Sequence, residues 1–437
     1  MSTDITSRLY TLCFLILSGT LPLVGTPAFS GDFSDDKVVL SDENPTRVIY
    51  QDFDYSETIL DWQEDVTFKP LRMLEFGQAG IPTAPGLVLS GAFWGNWLYE
   101  KTSDGGKFPI LSRFPGERGN VSKTSDRWVA SNAALAVTAR PVNWLTAYAQ
   151  LEYSEVEFPG QEDWQYRKAF VMIGDLDHSP FYGYFGRNTV DFGWLDGYNP
   201  FTHTVNNHSF RVDSDEPVIA LGYSKDGLDL VGTLIPSGRH LRVADTQDDD
   251  GYSNGAFMGS YTFGNLKENG RQFRIGGGYL HSTIYNNDFP HHPGPTFALS
   301  RAASPNLTRN ASYDVFAEYI HGPLRFGVER TTTARAWPAT GVDVSATNLQ
   351  AAYDFDLFDR ASRVSVVYGL NQQGPAGSEF EDLSQLVVGF ETQVTAFIRL
   401  SAEYVRNDAF VPLVNIRNVA DGSVTAHAFL LGGKINF

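Results

Sequence analysis

Gly86-Leu87-Val88-Leu89-Ser90-Gly91-Ala92-Phe93-Trp94-Gly95-Asn96-Trp97-Leu98-Tyr99-Glu100 places Leu87, Leu89, Phe93, Trp97 and Tyr99 on one face of an extended chain. An apolar repeat of two marks a strand with one greasy wall, because successive side chains of extended backbone point to opposite sides. Similar segments recur at about 128–140, 145–158, 166–175, 182–191, 217–224, 228–235, 255–263, 272–284, 312–321, 324–334, 344–355, 362–372, 382–392, 396–407 and 424–437. With 86–100 they make sixteen candidate strands, most near the roughly 9–11 residues that a tilted strand needs to cross a bilayer.

The connections alternate in length. Pro141-Val142-Asn143-Trp144, Lys225-Asp226-Gly227, Gly322-Pro323 and Gln393-Val394-Thr395 are short, with turn-forming residues. Between them fall 101–127, 192–216, 236–254, 285–311, 335–343 and 408–423. Short turns at one rim and long loops at the other are the rhythm of an outer-membrane barrel, and a soluble sandwich has no cause to keep it. The expected fold is therefore all-β: a transmembrane antiparallel β-barrel of about sixteen strands with both termini on the short-turn side. Aromatic residues near strand ends (Trp97, Tyr99, Trp128, Trp144, Tyr353, Phe355, Tyr404) match the girdles such barrels carry.

Composition excludes the competing classes. No stretch of the mature chain is apolar enough for a membrane helix, and mean hydropathy is −0.22. Disorder is excluded by 8 Trp, 20 Tyr and 31 Phe, too many for a chain that buries little surface. Arg8 ahead of the apolar run Leu9–Leu17, then Ala28-Phe29-Ser30, reads as a cleaved secretory signal over 1–30. Cys13 is the sole cysteine, so the mature protein is expected to lack disulfides and thiolate metal sites. Residues 31–85 form an acidic lead with twelve carboxylates against four Lys or Arg. A short helix is expected around Ser56–Glu64, and the lead is either a periplasmic tail or folded into a lumen. The barrel itself is expected over 86–437.

With the apolar positions facing lipid, the other wall can be read strand by strand. Leu324, Phe326 and Val328 outward leave Arg325, Glu329 and Thr331 inside. Ile398, Leu400, Ala402 and Tyr404 outward leave Arg399, Ser401 and Glu403. Arg363, Ser365, Asn371, Gln272 and Arg274 join them, as do Glu152, Glu318, Asp354 and Glu391. A charge at the lipid midplane costs roughly 2–4 kcal/mol, so this partition is enforced. A wall of both signs suits a hydrated channel, although the charges could equally pair across the lumen and touch no solute.

The most distinctive stretch is Tyr182-Gly183-Tyr184-Phe185-Gly186-Arg187-Asn188-Thr189-Val190-Asp191-Phe192-Gly193, followed by Gly197-Tyr198-Asn199-Pro200-Phe201-Thr202-His203 and Val205-Asn206-Asn207-His208. Here a strand runs into a long loop dense in aromatics and amides, more compatible with folding into a pore mouth than with waving in solvent. Phe-Gly-Arg-x-x-Val-x-Phe-Gly followed by Tyr-Asn-Pro-Phe-Thr, on a barrel of this length, resembles the LbtU-type siderophore porins. The resemblance covers most of 86–437, but its specific motif is confined to about 182–210. It implies an outer-membrane porin of a Gram-negative bacterium that moves ferric siderophores without a TonB-driven plug. The alternative is a general diffusion porin for sugars or small anions. Arg187, Arg274, Arg325, Glu329, Arg363, Arg399, Glu403, Tyr198 and Asn199 are the candidate pore or solute residues.

Other features are weaker. Loop 101–127 carries six Lys or Arg against three carboxylates; it could gather anionic solute or bind lipopolysaccharide phosphates. Asp248-Asp249-Asp250-Gly251 lacks calcium-loop spacing, and His291-His292 is more often an idle pair than a metal site. Asp191, His203, His208 and Ser209 are close in sequence but do not form a recognisable catalytic grouping, so no enzyme activity is expected. No cofactor and no nucleic acid is expected. The remaining expected partners are the bilayer, copies of the chain in a homotrimer, and the barrel-assembly machinery, which would read the last strand ending in Phe437.

Overall fold

The computed structural model describes residues 38–40, 48–61, 68–111, 114–117, 119–155, 164–212, 217–236, 240–241, 244–245, 254–285, 309–338, 340–374, 383–410 and 421–437. Sixteen strands form the barrel: β1 (Gly86–Thr102), β2 (Thr124–Val142), β3 (Leu145–Tyr153), β4 (Trp164–Gly174), β5 (Phe181–Arg187), β6 (Val218–Lys225), β7 (Leu228–Ile235) and β8 (Asn254–Phe263). They continue with β9 (Arg271–Leu280), β10 (Ser312–His321), β11 (Leu324–Thr333), β12 (Ser345–Asp356), β13 (Ala361–Gln372), β14 (Leu383–Thr395), β15 (Ile398–Phe410) and β16 (Asp421–Asn436). Each pairs antiparallel with the next in sequence, and β16 pairs antiparallel with β1 from Ala426↔Thr102 to Asn436↔Ala92. The sheet closes, so its own strands leave no free edge except at the start of β1.

The strands run past the apolar segments that announced them. β1 continues to Thr102 and β2 begins at Thr124, pairing Lys101 with Thr124 and Leu98 with Arg127. Outside an apolar layer a paired ribbon is free to carry charge, so alternation ceases to mark its end. The β4–β5, β8–β9 and β12–β13 connections (175–180, 264–270, 357–360) are also short, and 154–163 and 373–382 join the long set. Every short connection lies at the rim where β1 starts and β16 ends.

The partition of faces holds. Leu324, Phe326 and Val328 are 41%, 47% and 41% exposed, while Glu329 and Thr331 on the opposite face of the same strand are 1% and 0% exposed. Leu400 is likewise exposed and its neighbour Ser401 buried. Trp128, Tyr166 and Tyr313 ring the long-loop end outside; Trp144, Phe181, Phe263 and Tyr353 ring the other.

At the short-turn rim β16 stops before β1 does. Phe437 exchanges two backbone hydrogen bonds with Gly91 (2.7 and 2.9 Å), and its ring lies where a Cβ on Gly91 would be. Only glycine admits that approach. Beyond it, Val48–Gln51 pairs in parallel with Gly86, Leu87 and Val88, covering the remaining edge of β1, and Val38–Leu40 pairs antiparallel with Val48–Gln51.

Two helices follow this strand into the barrel. α1 (Phe53–Ile59) is capped by Asp52, whose carboxylate accepts the Tyr55 N–H at 2.8 Å. It starts earlier than the Ser56–Glu64 expected from sequence. α2 (Lys69–Gln78) has Pro70 in its first turn and buries Leu71, Met73 and Leu74. Tyr55 Oη bonds Thr138 Oγ1 (2.7 Å) and Ser56 Oγ donates to Ser90 Oγ (2.9 Å), so α1 touches inward side chains of β1 and β2.

Candidate functional site

The connection between β5 and β6 turns back into the barrel. Trp194 and Leu195 N–H both donate to Glu329 Oε1 (2.8 Å each). Tyr198 N–H donates to Gln350 Oε1 (3.1 Å), and Tyr198 Oη donates to Glu318 (2.7 Å). Phe201 and Thr202 N–H donate to Glu403 Oε1 (2.6 and 3.1 Å), and Thr202 Oγ1 donates to Oε2 (2.7 Å). α3 (Val205–Phe210), capped by Thr204, sends Asn206 Nδ2 to Thr331 Oγ1 at 2.9 Å. Ser365 Oγ donates to Asn199 Oδ1 (3.2 Å). Buried amides need acceptors, and a wall carboxylate accepting several of them gives the strong, charge-assisted kind. Gly327 lies beneath the Trp194 ring, where a Cβ would be 2.5 Å from it.

Asp191, in the same connection, is buried and accepts from Tyr184 Oη at 2.7 Å. Burial pushes its carboxyl up to about 7, against the lowering effect of the tyrosine hydroxyl.

The N-terminal helices enter from the other side. Lys69 Nζ, 1% exposed, donates to Ile59 O, to Tyr148 Oη (3.2 Å) and to Gln150 Oε1 (3.0 Å). Arg140 Nη1 donates to Gly77 O (2.6 Å). Glu57 pairs with Arg399, and Asp61 pairs with Lys434 at 3.1 Å. Burial raises the Glu57 carboxyl above the usual carboxylate range, outweighing the attraction of Arg399 and Lys434.

Between α1 and loop residues 197–201 lies a cavity of about 270 Å³. Asp54, Glu57, Thr58 and Asp61 line one side; Trp94, Arg363, Glu391, Arg399, Ser401 and Lys434 line the barrel wall. A belt of alternating charge crosses that wall. Asp354 pairs with Arg325 (2.8 Å) and Arg363 (2.7 Å), and Glu391 pairs with Arg363 (3.7 Å) and Arg399 (3.2 Å).

The sequence-derived candidates separate into three groups. Arg363, Arg399, Tyr198 and Asn199 line the cavity. Glu329 and Glu403 lie under the loop as its acceptors, and Arg274 is covered by the Phe68 ring, 4.0 Å from its guanidinium carbon. Arg325 is paired with Asp354; Arg187 ends β5 opposite the exposed Ala169, away from the cavity lining. Arg325, Arg363 and Arg399 are thus engaged by carboxylates. Lys434 and Trp94 were missed, although the alternation of Leu431, Gly433 and Ile435 already turned Lys434 inward.

Part of the basic loop 101–127 folds inward over its described residues. Phe108, Leu111 and Phe114 pack inward on Leu98, Val367, Val387, Val405 and Leu430. Glu100 accepts the N–H of Leu111 at 2.8 Å, while Lys107 pairs with Asp104 (2.8 Å) and Arg127 with Glu117 (3.7 Å). The signal segment, Asp248–Gly251 and His291-His292 lie outside the described residues.

No family model matches the chain, and no curated protein matches it in sequence. Solved structures do. The anion-selective porin from Comamonas acidovorans is 10% identical, with a TM-score of 0.53 over 80% of this chain and 99% of that one. OprB of Pseudomonas putida is 10% identical, with a TM-score of 0.51 over 79% and 94%. OmpF of Salmonella typhi is 13% identical, with a TM-score of 0.51 over 80% and 97%. At such low identity the likeness is one of backbone, and it establishes the fold: a sixteen-stranded barrel of the porin type.

Proposed function

We propose that this chain is an outer-membrane channel through which small hydrophilic solutes diffuse, with its constriction between α1 and loop residues 197–201. One observation carries the reading: a closed barrel, greasy outside and polar inside, holds a long loop folded against its own wall beside a cavity lined by charges of both signs. Such a wall hydrates a path, and an apolar exterior satisfies the bilayer. Proteoliposomes containing the protein should swell in isotonic small sugars or amino acids, with rates falling steeply as solute size grows. Liposomes that stay osmotically tight to all of them would remove the reading.

The finer reading, a ferric siderophore as solute, is supported by the phrase at 182–210. In this chain that stretch seats the loop, through Glu329, Gln350, Glu403 and Thr331. The cavity, at about 270 Å³, is below the roughly 300–1,000 Å³ of pockets that hold drug-sized ligands. Passage of a siderophore therefore requires α1 or the loop to withdraw. Growth of a deletion strain on a panel of ferric siderophores, with the TonB system absent, distinguishes the two: a specific defect restored by the gene supports the siderophore, and no defect supports general diffusion.

A further inference from the structure

Arg399 and Lys434 are direct register partners across β15 and β16, and both side chains turn into the lumen. Like charges directly opposite on one face of a sheet destabilise it. The wall answers this only in part. Among the described residues from β11 to β16, the belt has the cations Arg325, Arg363, Arg399 and Lys434 and the carboxylates Asp354 and Glu391. Asp354 is taken by Arg325 and Arg363, and Glu391 is shared between Arg363 and Arg399. The missing negative charge comes from elsewhere in the chain: Glu57 reaches Arg399 and Asp61 reaches Lys434. Both belong to the N-terminal segment, and they face the cavity that these cations line.

We propose that Arg363, Arg399 and Lys434 form a binding site for a small dicarboxylate, and that Glu57 and Asp61 occupy it as a tethered stand-in for that solute. Two carboxylates four residues apart answer two cations on adjacent strands, so a free molecule with two carboxylates meets the same pair. Trp94, with Lys434 Nζ 4.9 Å above its ring, walls one side, and Ser401 and Asn199 supply neutral hydrogen-bonding groups. Asp54 and Glu391 also face the cavity and disfavour a larger negative charge. Entry of the solute displaces Glu57 and Asp61, so binding and withdrawal of α1 are one event. The role of the site as a station on a transport path rests on the channel reading; the binding itself does not.

The test is calorimetric titration of the detergent-solubilised full chain with succinate, with acetate and inorganic phosphate as parallel probes. A Glu57→Gln, Asp61→Asn double variant should bind succinate about tenfold more tightly than the unaltered protein, as expected for cations freed in a low-dielectric cleft. Adding Lys434→Gln should cancel the gain, and acetate should bind more weakly than succinate. Equal affinities in the unaltered and double-variant proteins, or no binding to either, would overturn the proposal; phosphate binding more tightly than succinate would overturn the dicarboxylate class. A second measurement needs no variant: hydrogen exchange over 53–61 should accelerate more with succinate than with sodium chloride of equal ionic strength. Identical exchange in the two salts would also overturn it. A protein that binds succinate yet conducts nothing would defeat the channel reading alone.

Discussion

Among the segments that enter the barrel, two are held by its wall in different ways. The loop after β5 is fastened by its own backbone: wall carboxylates Glu329 and Glu403, 1% and 4% exposed, accept its amides at 2.6–3.1 Å. The N-terminal segment instead meets β15 and β16 through ion pairs, with Glu57 on Arg399 and Asp61 on Lys434. The Arg399 and Glu57 side chains keep about a quarter of their surface exposed. An amide donor stripped of its carboxylate in a dry site has no other partner, whereas a partly wet ion pair can trade its members for water and salt. The contrast assigns the loop to permanent architecture. It assigns the contact of α1 with β15 and β16 to the part that exchanges.

The largest expected effect follows from breaking the loop's seat. Glu403→Ala strands the amides of Phe201 and Thr202 and the Thr202 hydroxyl, which should cost about 4 kcal/mol. Urea unfolding in detergent reads the loss, and single-channel conductance should rise as the loop leaves the lumen. Glu57→Gln, by comparison, should change unfolding little.

A pH dependence comes next. The Asp191 carboxyl holds its proton to about 7 in the folded protein but releases it near 3.8 in the unfolded chain. The stabilisation is therefore complete below about pH 4 and is lost as pH rises through about 7. The unfolding midpoint should fall between about pH 4 and about pH 7, and Asp191→Asn should flatten that slope. An unchanged slope in the variant would remove Asp191 from the loop's seat.

Tyr198→Phe deletes one hydrogen bond, to Glu318 (2.7 Å), and should cost about 1 kcal/mol by the same unfolding measurement. The smallest effect sharpens the comparison most. Raising salt from about 0.1 to about 1 M shortens the screening length from about 10 to about 3 Å. Hydrogen exchange over 53–61 should accelerate severalfold while exchange over 194–206 stays unchanged. Equal response in both regions would erase the distinction between them.

The barrel was legible in the sequence because lipid enforces alternation on every strand that crosses it. Strands such as β6, β7 and β10 fall within a residue of their expected bounds, and Arg325, Glu329, Arg399 and Glu403 turn inward as read. What alternation does not reveal is which inward residue faces water and which is covered. Arg274 and Glu403 read alike along their strands, yet Phe68 covers one and Thr202 the other, from segments more than two hundred residues away. α2 was missed because its few apolar residues, Leu71, Met73 and Leu74, are surrounded by Pro70, Gly77 and charge. Its stability comes from what it packs against in the lumen, not from its own residues.

Adjacent side chains of one strand face lipid and water in turn. Leu400 and Ser401 supply the test, since the chain's sole cysteine is Cys13. In planar bilayers, a charged, water-soluble thiol reagent should reduce the current through a Ser401→Cys variant and leave that through Leu400→Cys unchanged. Block at position 400, or modification at 401 without any change in current, would contradict the account.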